Sequence, residues 1–335
     1  MWQNLPPIEE ITCHSFADLT EQILCSTKPL VLRGLVKSWP LVQQAVQSDI
    51  QGATYLNQFY QQKPVSAMVA PAEIKGRFFY NEQLNGFNFS RQQLSLDGLL
   101  GILTQPKGQQ KDDAYYVGST SIDQILPGLR SENDIPQLTD KPLVSIWIGN
   151  HSRIAAHYDV TDNVACVAAG RRRFTLFPPE QLENLYIGPL DFTLAGQAAS
   201  LVDFHHIDHQ RFPKFKQALE AAQVAELEPG DGIFIPSMWW HHIEALSQFN
   251  VLINYWWRQV DRHLGAPQDA LNHALLSIKD LPLEQRQAWR RLFDHYVFSP
   301  QEQQHIPQEA KGVLKPIDKI QARKLRATLL NNLNR

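Results

Sequence analysis

The sequence predicts a mostly β protein with helices on both sides of a central β region. Between about residues 114 and 258, short apolar runs are separated by Gly, Pro, Asn and Asp. Many short strands with such breaks favour a sandwich or barrel over alternating strands and helices. After Pro267 the apolar residues recur at helical spacing instead. The expected architecture is therefore a β core followed by a helical C-terminal extension.

Each region contributes identifiable elements. Residues 15–27 have helical spacing with Ser15 as a candidate N-cap, residues 29–35 read as a short strand, and residues 108–113 read as a surface loop. The core strands are predicted at AYYVG, LVSIWIG, NVACVAAG, RRRFTLF, DGIFIP and NVLINYWW, and the C-terminal helices at 271–279, 283–298 and 317–333. We therefore divide the chain into an entry region (1–113), a core (114–260) and an extension (261–335).

Composition excludes several classes of protein. The 335 residues are 43% hydrophobic with a formal net charge of −3, so no global basic field would attract nucleic acid. Three cysteines without CxxC spacing argue against a disulfide framework. The N-terminus lacks the pattern of a signal peptide, and no run of 18 apolar residues could span a membrane. A cytoplasmic location is the expectation.

A candidate metal site begins in the segment IAAHYDV, residues 154–160. Side chains two apart on a strand share a face, so His157 and Asp159 are expected to project together. One imidazole and one carboxylate would supply two ligands of a two-histidine, one-carboxylate iron(II) site. The HxD pattern alone is weak, because a surface histidine beside an aspartate is common.

A third ligand is expected in the segment GDGIFIPSMWWHHIEAL, residues 230–246. One strand parity places His241 with apolar residues, and the other places His242 with Glu244. His241 is therefore expected to face the core, and His242 to face away from it. From parity alone, a hydrogen-bonded core histidine is as good an explanation as a metal ligand.

A buried cation is predicted in RRRFTLF, residues 171–177. Arg172 shares its strand face with Phe174 and Leu176, so its guanidinium should point inward. A buried guanidinium needs a partner, and a planar carboxylate suits it. The partner could equally be an internal Asp or Glu or the carboxylate of a ligand.

Together, HYDVTDNVACVAAGRRRFTLFPPEQLENLY, GDGIFIPSMWWHHIEAL and NVLINYWW resemble the JmjC group of cupin oxygenases. The likeness runs from about Lys28 to Trp257 and is nearest to asparaginyl hydroxylases and bacterial cupin-like proteins. It implies a double-stranded β-helix, or jelly roll, with iron(II) held by His157, Asp159 and His241. It also implies 2-oxoglutarate and dioxygen as co-substrates.

The resemblance assigns further residues to the co-substrate pocket. Arg172 would bind the distal carboxylate of 2-oxoglutarate, where a related hydroxylase has lysine, and Tyr116 would donate to the same carboxylate. Asn163 and Asn254 would lie near its keto-acid end. The family pattern has a threonine three residues before the first histidine ligand, whereas this chain has Ile154, which cannot form a hydrogen bond.

The resemblance favours hydroxylation of a protein or peptide side chain, with Tyr80, Asn81 and Trp239 as candidate substrate contacts. Demethylation, hydroxylation of a small molecule, or a catalytically silent binding module are the alternatives. A second metal at the HHIDH tract, 205–209, is not expected. The amphipathic stripes of the C-terminal helices predict a homodimer formed through them.

Overall fold

The computed structural model describes residues 5–106, 113–138, 142–194, 196–299 and 303–334. Two compact units divide the chain, the first over residues 1–258 and the second over residues 259–335. The predicted loop at 108–113 lies outside the described residues except for Asp113. None of the helices in the described part of the chain is long and apolar enough to cross a membrane.

The first unit is built on strands with short helices between them. The strands are β1 (Glu10–Thr12), β2 (Leu30–Arg33), β3 (Val65–Ala70), β4 (Arg77–Phe78), β5 (Ser90–Leu94), β6 (Ala114–Ser121), β7 (Leu143–Gly149), β8 (Ser152–His157), β9 (Asp162–Ala169), β10 (Arg172–Phe177), β11 (Gln223–Leu227), β12 (Gly232–Ile235), β13 (Trp240–Ala245) and β14 (Asn250–Trp257). The helices are α1 (Glu21–Leu24), α2 (Pro40–Gln47), α3 (Asp49–Asn57), α4 (Leu96–Leu103), α5 (Ile122–Ile125) and α6 (Phe215–Glu220).

These strands form two sheets in the described residues. The larger has the order β1-β2-β12-β9-β14-β7-β6-β3-β5, and the smaller has the order β11-β10-β13-β8-β4. Most neighbours are antiparallel, and β1–β2 and β4–β8 are parallel. Strands distant in sequence are therefore neighbours in each sheet, which agrees with the jelly-roll expectation.

Successive apolar residues on the strands of the larger sheet point alternately to its two faces, and both faces are covered. Val167 of β9 and Leu252 of β14 face the smaller sheet and pack with Phe174. Their strand neighbours Cys166 and Val251 pack on the other side, in a cluster that includes residues of α2, α3 and α4. Because both faces are covered, β9 is buried along its whole length.

The mostly β prediction is confirmed, and the core strands fall where the apolar runs placed them. The single helix expected over 15–27 is wrong. Ser15 instead caps a short 3-10 turn, Phe16–Asp18, and the chain leaves helical geometry at Leu19 before α1 begins. The buried residues of this segment are Leu19, which follows the 3-10 turn, and Ile23 of α1.

The second unit contains α7 (Pro267–Ser277), α8 (Leu283–Phe293) and α9 (Lys319–Leu333). A π-helical turn, Asp294–Phe298, continues α8, so the predicted span of 283–298 is helical but not uniformly α. Many large apolar side chains of this unit are exposed, among them Leu276, Leu283, Trp289, Leu292, Tyr296, Val297, Phe298, Ile320, Leu325, Leu329, Leu330 and Leu333. Among its described residues, only Ala322 is buried as an apolar side chain.

Candidate metal centre and co-substrate pocket

Two adjacent strands of the smaller sheet bring the histidines together. In the antiparallel pair β8–β13, His157 and His241 are direct partners, and their ring centroids lie 4.3 Å apart. His157 is the last residue of β8, and His241 is the second residue of β13. Residues separated by 84 positions in sequence are thus neighbours through strand pairing.

A β-bulge adjusts the side chains next to this pair. His241 pairs with His157, but Ile243 pairs with Ile154, so β8 has one more residue than β13 in this interval. An extra residue shifts the side-chain alternation of the bulged strand. As a result both Ile154 and His157 line the same cavity although they are three residues apart. A regular strand would have placed them on opposite faces.

Asp159 reaches the histidines from a loop and not, as the strand parity predicted, from the strand itself. β8 ends at His157, so Asp159 lies two residues beyond it. The amide of Met238 donates to the carbonyl oxygen of Asp159 at 2.8 Å, which ties this loop to the turn before β13. Met238 has a φ of +68°, a left-handed conformation that is strained for a side chain of this size. The turn and the loop together place the carboxylate beside the imidazoles.

The three side chains present a donor set suited to iron(II). One ligand atom from each of His157, Asp159 and His241 lies within 4.8 Å of the other two. The Nδ1 of His157 is 2.9 Å from the carbonyl oxygen of Ala155, and the Nδ1 of His241 is 3.0 Å from that of Trp239. If each Nδ1 donates its hydrogen to that carbonyl, each Nε2 has a free lone pair for a metal. Two imidazoles and one carboxylate leave further coordination positions open.

Burial keeps His241 neutral. Removal from water is the largest cause that lowers its pKa, to about 4, and neighbouring His157 acts in the same direction. Asp159, whose Oδ2 lies 3.7 Å from the Nε2 of His241, opposes the shift. A neutral imidazole at physiological pH is the form that binds metal.

A chain of side-chain hydrogen bonds orients Asp159. The indole Nε1 of Trp256 donates to its Oδ2 at 3.0 Å, and the amide of Asn163 donates to the same oxygen at 3.4 Å. Asn254 in turn donates to the Oδ1 of Asn163 at 2.9 Å. The sequence analysis assigned no role to Trp256. Its parity with Asn254 on β14 could have identified it, because both side chains must face the same side of the sheet.

The metal ligands lie in a cavity of about 390 Å³ between the two sheets. Its lining residues include the three ligands and all four predicted co-substrate residues, together with a largely apolar wall. They are Ser66, Met68, Phe78, Phe89, Arg91, Tyr116, Gly118, Ser119, Thr120, Trp147, Ile154, Ala155, His157, Asp159, Asn163, Arg172, Leu194, Gln197, Ala199, His241, Ile243, Leu252, Asn254 and Trp256.

Arg172 is the distinctive group of this cavity. It is only 2% exposed, yet within the described residues it forms no salt bridge and its Nε has no hydrogen-bond partner. Burial lowers its pKa to about 10, which still leaves it charged at neutral pH. Tyr116 lies close enough to interact electrostatically with it, and burial raises the pKa of the Tyr116 hydroxyl. A guanidinium and a protonated phenol therefore share a site that contains no described carboxylate partner.

The neighbouring arginine differs in this respect. Arg173, on the opposite face of β10, pairs with Glu226 at 2.7 Å and with Glu244 at 3.2 Å. The internal salt bridge that remained an alternative for Arg172 is thus made by Arg173 instead. For Arg172, the structure favours the carboxylate of a ligand.

The predicted substrate contacts are not brought to the cavity lining. The Tyr80 hydroxyl donates to the carbonyl oxygen of Phe192 at 2.6 Å, and Asn81 caps a turn through Asn85 and Gly86. The indole of Trp239 donates to the carbonyl oxygen of Thr27 at 3.1 Å. Each of the three therefore has a local structural partner, and their role in substrate binding stays a prediction.

His242 does lie on the face opposite His241, but that face is not a polar surface as expected. His242 is 5% exposed, and its ring centroid lies 4.4 Å from that of Phe204. Phe204 and Phe215 belong to an apolar cluster that covers this side of the smaller sheet. In the HHIDH tract, His205 contacts Glu244 at 2.5 Å. Within the described residues, the only group suited to a metal is that of His157, Asp159 and His241.

Comparison with known proteins identifies the family. A profile described as a cupin-like domain matches residues 16–263, more than half of the chain. The chain belongs to this cupin-like domain family. Its two packed sheets and C-terminal helices agree with a jelly-roll core, as the resemblance implied. One relative carries the JmjC name, and JmjC proteins of the cupin family are typically iron(II)- and 2-oxoglutarate-dependent oxygenases.

Three relatives illustrate the range of the likeness. JmjC domain-containing protein D of Dictyostelium discoideum is 24% identical over 252 residues, which cover 70% of this chain and 52% of the relative. Lysine-specific demethylase 8 of Xenopus tropicalis is 25% identical over 262 residues, covering 75% and 52%. tRNA wybutosine-synthesizing protein 5 of Danio rerio is 28% identical over 198 residues, covering 52% and 55%.

This chain spans about half the length of these relatives. The matches support the wider JmjC and cupin-like grouping. A particular likeness to the asparaginyl hydroxylases stays a prediction.

Proposed function

We propose that the chain is an iron(II)- and 2-oxoglutarate-dependent oxygenase that hydroxylates a side chain of a protein or peptide. The observation that carries the proposal is the pairing, in one cavity, of the His157–Asp159–His241 group with the buried, unpaired Arg172. A triad alone would serve many metal proteins. A triad beside a buried cation that lacks a carboxylate fits a co-substrate that chelates metal at one end and carries a carboxylate at the other.

Each part of the cavity has a role in this reaction. His157, Asp159 and His241 would hold iron(II), and Arg172 with Tyr116 would bind the distal carboxylate of 2-oxoglutarate. Asn163 and Asn254 would set the orientation of Asp159 and border the keto-acid end. When bound, iron and 2-oxoglutarate supply the oxidation: one atom of dioxygen enters a substrate C–H bond, the other enters succinate, and carbon dioxide is released. The apolar wall excludes water from the reacting atoms.

The alternatives differ in what the cavity must accept. Demethylation of a methylated side chain uses the same co-substrates, and the name of the Xenopus tropicalis relative makes it the enzymatic alternative. A catalytically silent binding module would not need three intact ligands, nor two histidines whose Nδ1 atoms are held by backbone carbonyls. That feature supports an enzyme.

The proposal is tested first by binding and then by turnover. Purified protein under anaerobic conditions should bind about one iron(II) per chain, and 2-oxoglutarate should then perturb the iron absorption spectrum. On admission of air, it should convert 2-oxoglutarate to succinate without a prime substrate, at a slow uncoupled rate. The His241→Ala protein serves as the matched control and should lose both properties. Failure of the wild-type protein to bind iron or to perturb the spectrum would refute the proposal.

A further inference from the structure

One end of the cavity, away from the metal ligands, carries a second arginine whose charge is paired with no acidic group among the residues that the structure describes. Arg91 lines the cavity and lies on β5, the exposed edge strand of the larger sheet. In the sheet register it pairs with Met68, which pairs with Tyr116. Paired residues on adjacent strands are about 5 Å apart, so Arg91 lies about 10 Å across the sheet from Tyr116. Arg91 therefore marks the solvent-facing end, and Arg172 the buried end.

The guanidinium of Arg91 is held in position without being neutralised. Its Nη2 donates to the carbonyl oxygen of Leu194 at 3.1 Å, and its central carbon lies 5.7 Å from the centroid of the Phe89 ring. It forms no salt bridge with any residue that the structure describes. A carbonyl and an aromatic face fix the direction of the side chain, and both leave its positive charge available.

The charges of the cavity discriminate between classes of substrate. Asp159 is the only carboxylate in the described lining, and it faces the two histidines. A methylated ammonium or guanidinium would find no other carboxylate, and Arg91 already occupies the nearby face of Phe89. Like charges at this end of the cavity would oppose a cationic side chain. A carboxylate, in contrast, would find a preoriented donor there.

We infer that Arg91 is a specificity-determining residue that binds a carboxylate on the prime substrate, and that the substrate is an acidic peptide segment. The inference rests on the proposed function and names the substrate class of the same site. Between Arg91 and the metal ligands the wall is apolar, with Phe78, Trp147 and Ile154 available to aliphatic parts of the substrate. The net charge of −3 disfavours a polyanion such as nucleic acid, whereas one carboxylate can be neutralised locally by one arginine.

The test uses wild-type protein loaded with manganese(II), as a redox-inert replacement for iron, together with 2-oxoglutarate. The immobilised protein selects from a synthetic library of short mixed-sequence peptides, and the bound peptides are sequenced. We expect Asp and Glu to be enriched over Asn and Gln by about five- to tenfold, since a partly exposed charge-assisted contact is involved. Arg91→Gln should abolish this enrichment, and Arg91→Glu should replace it with enrichment of Lys and Arg.

Arg211→Gln is the matched control. Arg211 is also exposed and also lies over an aromatic ring, that of Phe212 at 5.1 Å, but it is not part of the cavity lining. The Arg211→Gln protein should retain the wild-type selection. Equal selection of acidic and amide residues by the wild type, or an acidic preference that survives Arg91→Gln, would overturn the inference.

Two further readouts separate the possible failures. Arg91-dependent binding of a mixed single-stranded oligonucleotide, without acidic peptide selection, would assign the substrate to nucleic acid and overturn the peptide assignment. Iron stoichiometry and 2-oxoglutarate binding are measured on the same wild-type protein. If the wild-type protein binds neither iron nor 2-oxoglutarate, the proposed function is refuted. If it binds both but does not select acidic peptides, only the role of Arg91 is refuted.

Discussion

Replacement of Arg172 tests whether this side chain is reserved for a ligand carboxylate. Arg172→Ala removes a guanidinium that is 2% exposed and makes no salt bridge with the described residues. If it binds 2-oxoglutarate through charge-assisted hydrogen bonds worth about 1.5–3 kcal/mol, affinity should fall by about 10- to 150-fold. Arg171→Ala, at the exposed residue beside it, should change affinity little.

A thermal-shift assay with manganese(II) in place of iron measures the effect directly. In the wild type, 2-oxoglutarate at about 100 times its dissociation constant should stabilise the protein by about 2.7 kcal/mol. At the same concentration, a tenfold weaker complex would gain only about 1.4 kcal/mol. For a unit of this size each kcal/mol corresponds to about 2–4 °C in Tm, so the difference is measurable.

The stability of the ligand-free protein shows whether the role assigned to Arg172 is wrong. If Arg172 serves a ligand, Arg172→Met removes a buried charge without breaking an ion pair, and the ligand-free Tm should hold or rise. If it serves an internal ion pair, the same substitution should destabilise the protein by about 3–5 kcal/mol. A large loss of ligand-free stability with unchanged 2-oxoglutarate affinity would refute the assignment of Arg172.

Three other predictions follow from the site and the second unit. His241→Ala should abolish stoichiometric iron binding. His242→Ala should keep the iron but lower the denaturation midpoint, because the buried ring of His242 packs on an apolar cluster. Iron retained by the His241 variant and lost by the His242 variant would reverse the assignment. Trp256→Phe should weaken iron binding by about 10- to 100-fold through loss of the hydrogen bond to Asp159, and unchanged affinity would mean that the bond does not position the ligand. Light scattering should give a dimeric mass for the full chain and a monomeric mass for a chain ending at Arg258, because the second unit exposes many large apolar side chains; a monomeric full chain would contradict the predicted homodimer.

Much of the fold could be predicted because the core strands can be recognised from their own apolar sequences. The apolar runs of β7 and β14 are covered on both faces and are bounded by turn residues, so their limits match the sequence expectation. β5 and β11, which each end a sheet, were missed because few of their residues are buried, and β5 in particular reads SRQQL. Edge strands of this kind owe their conformation to pairing with a neighbour and not to their own composition.

The candidate site could be predicted only where alternation along a strand determines the face of the sheet to which a side chain points. Parity placed His241 and Arg172 on inward faces, and both are buried. It misplaced Asp159 in the strand, because the position of that carboxylate depends on a loop and a strained turn around Met238. It could not reveal Arg91, whose importance comes from lying two strands away from Tyr116 in a register that local sequence does not encode.

If Arg172 binds the distal carboxylate as proposed, it could make up for the donor that Ile154 does not supply. The bulge in β8 turns Ile154 into the cavity, where it packs in a cluster with Phe78 and Trp147. A threonine there could have offered a hydroxyl, and isoleucine offers only apolar surface. A guanidinium has five donors in a planar fork, whereas the ammonium of a lysine acts as a compact point charge. Two parallel hydrogen bonds from Arg172, with the Tyr116 hydroxyl beside it, would therefore satisfy a carboxylate without a third donor from position 154.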